Sequence, residues 1–163
     1  MNSVGTWSGR PLLIDTNLLL VLAVGLVRRD QVERFKRTSA YEAADFDRLV
    51  RIVESAGRLV TTHHVLAEVS NLGGQLSGRL RTQFFEVLRQ LAVEQLEDES
   101  PPSPAFMKDP VFTRLGVADT AILRIDGSLG AVVLSDALGL YLELTTRGIE
   151  AVNFNHIRTA TTG

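Results

Sequence analysis

The stretch PLLIDTNLLLVLAVGLV, residues Pro11–Val27, contains two apolar runs separated by the tripeptide DTN. The first run, Leu12–Ile14, has the length and composition of a short buried strand. The second run is too long and too rich in leucine and alanine for a strand, so we interpret Asn17–Val27 as a buried helix. Asp15 is therefore expected at the carboxyl end of a strand, where open α/β sheets bind their ligands.

An aspartate in such an apolar setting has two interpretations. A bare carboxylate is costly there unless it meets a cation or hydrogen-bond donors, which favours a functional site. Asp, Thr and Asn are also good N-caps, so Asp15 could simply begin the following helix. The stretch Pro11–Val27 taken alone does not separate the two interpretations.

The composition is typical of a soluble globular domain. The chain has 163 residues, of which 45% are hydrophobic and 22% charged, and this is enough for one domain with a sizeable core. Cysteine is absent, which excludes disulfides, thiolate metal sites and cysteine nucleophiles and fits a reducing cytoplasm. We expect a flexible arm at residues 1–10, a single domain at residues 11–155 and a polar tail at residues 156–163.

No segment is expected to enter a membrane. Residues 1–10 lack the basic start and apolar core of a secretory signal. The polar residues 15–17 interrupt the longest apolar stretch, which then falls short of the roughly 18 apolar residues that a transmembrane helix needs. We therefore expect a cytoplasmic protein without a membrane partner.

The charge balance limits how the chain could bind nucleic acid. A formal net charge of −2 provides no overall positive field, so such binding would depend on a local basic patch or on metal ions. Among the basic residues only Lys36 and Lys108 are lysines. The planar fork of arginine is well suited to contacts with phosphate.

Helical and strand-like segments alternate along the rest of the chain. Apolar residues at helical spacing predict helices at Tyr41–Ala56, His63–Leu72, Leu76–Leu96, Val117–Ile125 and Ala137–Thr146. Short β-prone runs predict strands at Arg58–Thr62, Ala131–Leu134 and Ile149–Asn153. We expect a charged surface segment or short helix at Arg28–Thr38, irregular chain or a single turn at Phe106–Leu115 and an acidic, proline-rich loop at Glu97–Pro104. The alternation predicts an α/β fold with a mainly parallel sheet of four to five strands, whose carboxyl ends share one edge.

Acidic residues occur where this fold would bring them together. Asp15 and Asp136 each follow a predicted strand and should face the same crevice. Asp119 begins the helix before the strand that carries Asp136, so it can face the same edge. Glu68 lies on a helix whose other face is apolar. Taken singly, Asp119 could be a helix-dipole acid and Asp136 a cap. Glu68 could be a solvated side chain, but an acid between Val65, Leu66 and Val69 favours a function.

Taken together, these four carboxylates would repel one another strongly. Divalent cations with oxygen ligands relieve such repulsion, and Mg²⁺ or Mn²⁺ prefers carboxylates together with water. One or two such ions beside a phosphodiester can generate hydroxide and stabilise the leaving oxygen. The pattern therefore predicts a metal-dependent phosphoryl-transfer site.

Other candidate chemistries are less well supported. His63, His64 and His156 could be ligands or bases, but histidines in such positions are more often surface or capping residues. Ser135 could be a nucleophile, yet no G-x-S-x-G elbow surrounds it. No P-loop and no G-x-G-x-x-G fingerprint is present.

The order of the motifs resembles the PIN domain, the fold of many bacterial toxin ribonucleases of the VapC type. The resemblance extends from Leu12 to Phe154. The matching pieces are LLIDTN at Leu12–Asn17, TTHHVLAEVSNL at Thr61–Leu72, GVADTAILRI at Gly116–Ile125 and VVLSDALGLYLELTTRGIEAVNF at Val132–Phe154. The resemblance implies a three-layer α/β/α fold and endoribonuclease activity on RNA. It also implies an antitoxin protein and a second copy of the chain, in a homodimer, as partners.

The resemblance also implies roles for individual residues. The residues that match the family's acidic quartet around Mg²⁺ or Mn²⁺ are Asp15, Glu68, Asp119 and Asp136. Asn17 matches a polar residue that supports the first aspartate. Many members have threonine where this chain has Leu134, and Ser135 is adjacent instead. Asn17 and Ser135 are therefore expected to orient ligands or water. The chain is also longer than the compact toxins, mainly through the charged region Arg28–Ala56.

Two other functions remain open at this point. One is a catalytically silent PIN-like domain that binds RNA or a protein partner. The other is a phosphatase of the haloacid dehalogenase type with Asp15 as nucleophile. That family needs a second aspartate where this chain has Asn17, and it typically uses a lysine after the nucleophile, whereas none follows Lys108 here.

Overall fold

The computed structural model describes residues 5–102 and 104–160. Five strands in this part of the chain form one sheet, in the order β3-β2-β1-β4-β5. Every neighbouring pair is parallel, which confirms the predicted sheet at the upper limit of its expected strand number. The strands are β1 (Pro11–Ile14), β2 (Arg58–Thr61), β3 (Leu96–Asp98), β4 (Val132–Ser135) and β5 (Ala151–Asn153).

Helices connect and cover these strands. Within the described residues they are α1 (Thr16–Val27), α2 (Gln31–Arg34), α3 (Ala43–Ser55), α4 (His63–Gly73), α5 (Gly78–Glu94), α6 (Phe112–Leu123), α7 (Leu138–Thr146) and α8 (Phe154–Ala160). Successive residues of a strand face opposite sides of the sheet. All four residues of β4 and three of the four in β1 are buried, so both sides of the sheet are covered. The architecture is the predicted three-layer α/β/α fold.

The strand order places a switch point between β1 and β4. From β1 the chain continues to β2 and β3 on one side of the sheet, and then returns to β4 and β5 on the other side. Ile14 pairs with Leu134, so β1 and β4 end beside each other. Ligand crevices of open α/β sheets lie at such a switch point.

Helix α1 is buried almost throughout, as its uniformly apolar sequence predicts. It packs against α3, α4 and α5. An ideal Cβ on Gly25 would lie 2.1 Å from the ring of Phe46, so only glycine lets α3 approach this closely. No helix within residues 5–102 and 104–160 is both long and apolar enough to span a bilayer.

Three segments differ from the sequence-based expectation. Leu96–Asp98 forms β3 beside β2 and includes the first two residues of the predicted loop, because an edge strand pairs its backbone regardless of side-chain charge. Helix α6 begins at Phe112 within chain predicted to be irregular. Helix α8 occupies most of the predicted polar tail, where the Asn153 side chain accepts a hydrogen bond from the Asn155 backbone N–H (2.9 Å). Residues 161–163 of the tail lie outside the described part.

The predicted flexible arm at residues 1–10 is packed where the structure describes it, at residues 5–10. Trp7 is only 2% exposed, and its Nε1 donates a 2.9 Å hydrogen bond to Oγ of Ser55. Ser8 forms a β-bridge with Ala56. Residues 1–4 lie outside the described residues.

Candidate active site

Asp15 lies at the junction of β1 and α1, and its side chain is held by donors from two elements. Its Oδ1 accepts a hydrogen bond from the Leu18 backbone N–H (3.2 Å), so Asp15 is the N-cap of α1. Its Oδ2 accepts from Oγ of Ser135 (2.5 Å) and from the Asp136 backbone N–H (3.1 Å). Asp15 is 3% exposed. The capping role and the link to β4 are therefore both present in one buried carboxyl group.

Asp136 directly follows β4 and is partly buried. Its Oδ2 accepts a hydrogen bond from the hydroxyl of Tyr41, and its backbone carbonyl accepts one from Nδ2 of Asn155 (3.1 Å). Its Oδ1 is buried and has no hydrogen-bond partner among the described residues. A buried carboxylate oxygen without a donor is costly, and it is a group that a bound cation would stabilise.

The pair Asp15 and Asp136 has perturbed protonation. Burial raises the pKa of Asp15 well above its usual range, and the neighbouring Asp136 charge raises that pKa further. Hydrogen bonds from Ser135 and from the backbone only partly oppose this rise. Burial also raises the pKa of Asp136, against the lowering effect of Asn17 and Arg158. Burial thus disfavours the anionic form of both carboxyl groups.

A cavity of about 100 Å³ lies in front of Asp15. Three of the four predicted acids, together with the predicted Asn17, contribute to its wall. The lining residues are Asp15, Thr16, Asn17, Glu68, Asp119 and Ala137. Asp136 is not among them, but it adjoins the cavity through its backbone bond to Asp15 and its chain neighbour Ala137.

Glu68 and Asp119 also line this cavity. Glu68 is exposed and accepts a 3.3 Å hydrogen bond from Oγ1 of Thr16. Gly116, with φ of +81°, interrupts α6, so that Asp119 lies in the first turn of the helix that follows. Burial, and then the charge of Glu68, raise the pKa of Asp119 to about 6. Mutual repulsion therefore acts across this second acidic pair as well.

The donor chemistry of the cavity fits a hard divalent cation. All of its charged groups are carboxylates, and it also offers hydroxyl and amide oxygens. No group of three or more Asp, Glu or His side chains in the described residues is already arranged around a single point. Mg²⁺ commonly uses only one or two carboxylates and fills its other positions with water. The side chains lining the cavity are thus of the chemical type that binds Mg²⁺, although no three carboxylates among the described residues are preformed around one point.

Ser135 and Asn17 lie near the acids in different environments. Ser135 is fully buried; its Oγ donates to Asp15 and accepts from the Ala137 backbone N–H (3.0 Å). A hydroxyl enclosed in this way orients its neighbours and is not available as a nucleophile. Asn17 is exposed at the cavity wall, and no hydrogen bond of normal geometry links its amide to Oδ1 of Asp136.

The three histidines contribute nothing to the cavity wall. Nε2 of His63 lies 2.8 Å from Oδ2 of Asp98, and both side chains are largely exposed. The rings of His64 and His156 pack edge-on against Phe106 and Tyr141. Their placement agrees with surface and packing roles.

Four residues near the acids were not predicted from the sequence: Thr16, Tyr41, Asn155 and Arg158. The Arg158 guanidinium lies 4.8 Å from the centre of the Tyr41 ring and pairs with Asp45 at 3.1 Å. Thr16 had a signal, because it adjoins Asp15 in the same polar tripeptide. Tyr41, Asn155 and Arg158 lie near Asp136 only because of tertiary packing. No local sequence pattern predicts that proximity.

Other buried acids and larger cavities have a structural explanation. Asp109 forms ion pairs with Arg147 (2.7 Å) and Arg124 (3.5 Å), and the hydrogen bond from Arg147 lowers its pKa to about 2. A cavity of about 230 Å³ at the opposite sheet edge contains the 2.5 Å ion pair of Arg10 and Glu150. Asp109 and Glu150 thus have arginine partners, and Asp126 in the same cavity accepts a 2.9 Å hydrogen bond from the Ser128 backbone N–H.

No protein-family model, curated protein or solved structure matches this chain. The PIN-domain resemblance accordingly rests on the four quoted motifs. Function has to be argued from the geometry and chemistry of the site, since one α/β fold can support many activities.

Proposed function

We propose that this chain is a PIN-like, Mg²⁺- or Mn²⁺-dependent endoribonuclease that hydrolyses phosphodiester bonds in RNA. The observation that carries the proposal is the convergence of Asp15, Glu68 and Asp119 on one cavity, with Asp136 hydrogen-bonded directly behind Asp15. These residues come from the ends of two neighbouring strands and from two helices. Carboxylates held this close repel one another and destabilise the fold unless a bound cation offsets their charge.

The four acids and Asn17 would have distinct roles in binding metal and orienting water. Asp15, Asp119 and Asp136 would hold the principal metal ion, and Glu68 would complete the cluster or hold a second ion. A bound Mg²⁺ or Mn²⁺ would supply Lewis acidity for water activation and for the leaving oxygen. Asn17 would orient water at the cavity mouth, where its side chain is exposed.

The donors around Asp15 would keep its carboxylate correctly aimed. Ser135, Leu18 and the Asp136 backbone N–H fix both of its oxygens from behind. Tyr41 similarly holds one oxygen of Asp136 and leaves Oδ1 without a donor. Preorganised side chains of this kind limit the movement that a ligand must induce.

Cleavage of a fluorescent single-stranded RNA tests the proposal. The purified chain should cut the RNA with Mn²⁺ or Mg²⁺ and remain inactive in EDTA. Asp15→Asn and Asp136→Asn should each abolish cleavage while the far-UV circular dichroism spectrum is retained. Metal-independent cleavage, or full activity of Asp15→Asn, would contradict the assignment.

A catalytically silent PIN-like domain is the second candidate function. The observation in its favour is that the described residues contain no preformed group of three metal ligands. Such a domain would bind RNA or a protein but would not cleave RNA, whichever divalent metal ion is added. RNA binding without cleavage, unchanged in Asp15→Asn, would support this candidate over the nuclease.

Partners would follow from the nuclease proposal. If the chain is a toxin, an antitoxin would cover the acidic cavity in the cytoplasm, and a homodimer would present two such cavities. The phosphatase alternative is less favourable, because that family needs a second aspartate at the position of Asn17.

A further inference from the structure

Most arginines of the chain are neutralised by nearby acids. Ion pairs within 4.0 Å involve Arg10, Arg28, Arg29, Arg34, Arg48, Arg58, Arg114, Arg124, Arg147 and Arg158. The arginines without such a pair, as far as residues 5–102 and 104–160 show, are Arg37, Arg51, Arg79, Arg81 and Arg89. Three of these five, Arg37, Arg79 and Arg81, lie at or beside the turn between α4 and α5.

Two of the guanidinium groups are tied to this turn by uncharged acceptors. Nε of Arg37 donates a 2.7 Å hydrogen bond to Oε1 of Gln75, and Nε of Arg81 donates one of 3.2 Å to the carbonyl of Gly74. Because Gly74 and Gln75 are adjacent, Arg37 and Arg81 are held at neighbouring residues of the same turn. The hydrogen bonds orient both side chains but leave their positive charge uncompensated.

The chain around these arginines contains no acid. Residues 34–41 and residues 69–85 contain basic residues but neither Asp nor Glu. Lys36, Arg37, Arg79 and Arg81 are all exposed. In a chain of net charge −2, this basic turn patch, defined as Lys36, Arg37, Arg79 and Arg81, is a local exception.

The basic turn patch is connected to the acidic cavity by short stretches of chain. Gln75 follows Glu68 by seven residues, which corresponds to about 10 Å at the rise of an α-helix. On the other side, Tyr41 follows Arg37 by four residues and donates its hydroxyl hydrogen bond to Asp136. An extended ligand on the patch would therefore be close enough to reach the cavity.

The patch also carries an aromatic surface. The guanidinium carbon of Arg81 lies 4.8 Å from the centre of the Phe85 ring, and Phe85 is itself partly exposed. Phe85 in turn packs edge-on against buried Phe84, which fixes its position. Planar guanidinium and aromatic groups are surfaces on which unpaired nucleobases stack.

We propose that the basic turn patch binds the phosphate backbone of single-stranded RNA and directs the strand into the acidic cavity. This inference rests on the proposed function for the identity of the polyanion. Unpaired forked guanidinium groups match phosphate oxygens, and the Arg81–Phe85 stack favours a ligand with bases over an acidic protein. Arg37, Arg79 and Arg81 are the phosphate ligands, and Lys36 adds charge at the edge of the patch.

Fluorescence anisotropy with a labelled single-stranded RNA tests the proposal. The titrations are made in EDTA, so that no cleavage is expected, over a series of KCl concentrations. The test protein carries Arg37→Gln, Arg79→Gln and Arg81→Gln. The matched control carries Arg28→Gln, Arg29→Gln and Arg114→Gln, which changes the net charge equally but removes arginines that have acidic partners.

The test protein should bind more weakly, and the slope of log K against log salt should fall by about 2, at roughly 0.7 per phosphate contact. The control should keep the wild-type slope. Equal losses in both triple variants, an unchanged slope in the test protein, or no RNA binding by the wild type would overturn the proposal. Equally tight binding of poly-glutamate would overturn it too.

A single variant guards against misfolding of the triple variant. The Arg79 side chain makes no hydrogen bond or ion pair with the described residues and lies in the first turn of α5, so Arg79→Glu should not lower the melting temperature while it weakens RNA binding. Wild-type RNA affinity of a folded Arg79→Glu protein would also count against the patch. If the wild type binds RNA through the patch but fails to cut it with metal, only the nuclease proposal fails.

Discussion

The hydroxyl of Ser135 donates a 2.5 Å hydrogen bond to Oδ2 of Asp15, two residues separated by 120 positions in the chain. Both side chains are buried, and the bond joins the carboxyl ends of β4 and β1. The second oxygen of Asp15 meanwhile caps α1. One buried carboxyl group thus connects two strands and a helix at the place where the acids converge.

Ser135→Ala should lower the free energy of unfolding by about 1–3 kcal/mol, because it removes a donor from a buried carboxylate. Urea denaturation of the two proteins measures the difference. Ser39→Ala is the matched control, since Ser39 is exposed and bonds only to the Lys36 carbonyl (3.0 Å). Equal stability of the wild type and Ser135→Ala would mean that the bond contributes nothing to the fold.

Tyr41→Phe should also destabilise the protein by about 1–3 kcal/mol, since the hydroxyl is a donor to a largely buried carboxylate. Tyr141→Phe is the natural comparison, because these are the two tyrosines of the chain and Tyr141 lies outside the acidic pair. Chemical denaturation should separate the two variants clearly. Indistinguishable midpoints would show that Tyr41 does not hold Asp136.

Asp119 predicts a specific pH dependence of stability. Its pKa is raised to about 6 in the folded protein, against about 3.8 when unfolded. Between these values the folded state binds more protons, so Asp119 destabilises the fold progressively as the pH rises from about 4 to about 6. Asp119→Asn should therefore gain stability relative to wild type over this interval, and the difference should be constant above it.

Thermal melts of both proteins across this pH range, in EDTA, check the prediction. The reverse trend is expected if Asp119 only stabilises a helix N-terminus, because its charged form would then be the favourable one. A melting temperature of Asp119→Asn that falls relative to wild type as the pH rises from about 4 to about 6 would support that role.

Mn²⁺ should raise the melting temperature of the wild type in a concentration-dependent way, since the ion binds the folded site and hardly binds the unfolded chain. The stabilisation would be about 2.7 kcal/mol at a hundredfold excess over the dissociation constant. Asp119→Asn should respond less, whereas Asp109→Asn should respond like wild type, because Asp109 is paired with Arg147. Differential scanning fluorimetry suffices, and a wild-type melt that ignores Mn²⁺ would count against a metal site.

Much of the fold follows from local patterns in the sequence. The strand at Leu12–Ile14, the buried helix after it and the later strand–helix alternation all show in hydrophobic spacing. A parallel sheet alone places Asp15 and Asp136 at the same edge, since both acids come directly after a strand; they lie side by side because β1 pairs with β4.

Other features depend on tertiary contacts and could not be predicted in this way. The acidic strand β3 exists because β2 offers a free edge, and α8 forms in a polar segment that packs through Phe154. Tyr41 reaches Asp136 across 95 positions, and the neutral acceptors that gather Arg37 and Arg81 lie at a turn. Such long-range partners leave no periodic signal.

If Asp15, Glu68, Asp119 and Asp136 act as one metal-dependent site, loss of a single carboxylate from the cavity wall should abolish RNA cleavage. The most direct test is the rate of single-stranded RNA cleavage in Mn²⁺ by Asp119→Asn, compared with Asp109→Asn. Both changes remove one carboxylate, but only Asp119 lines the cavity. We expect Asp119→Asn to be inactive and Asp109→Asn to cut at the wild-type rate once its folded fraction is taken into account. Wild-type cleavage by Asp119→Asn, or equal loss in both variants, would contradict this expectation.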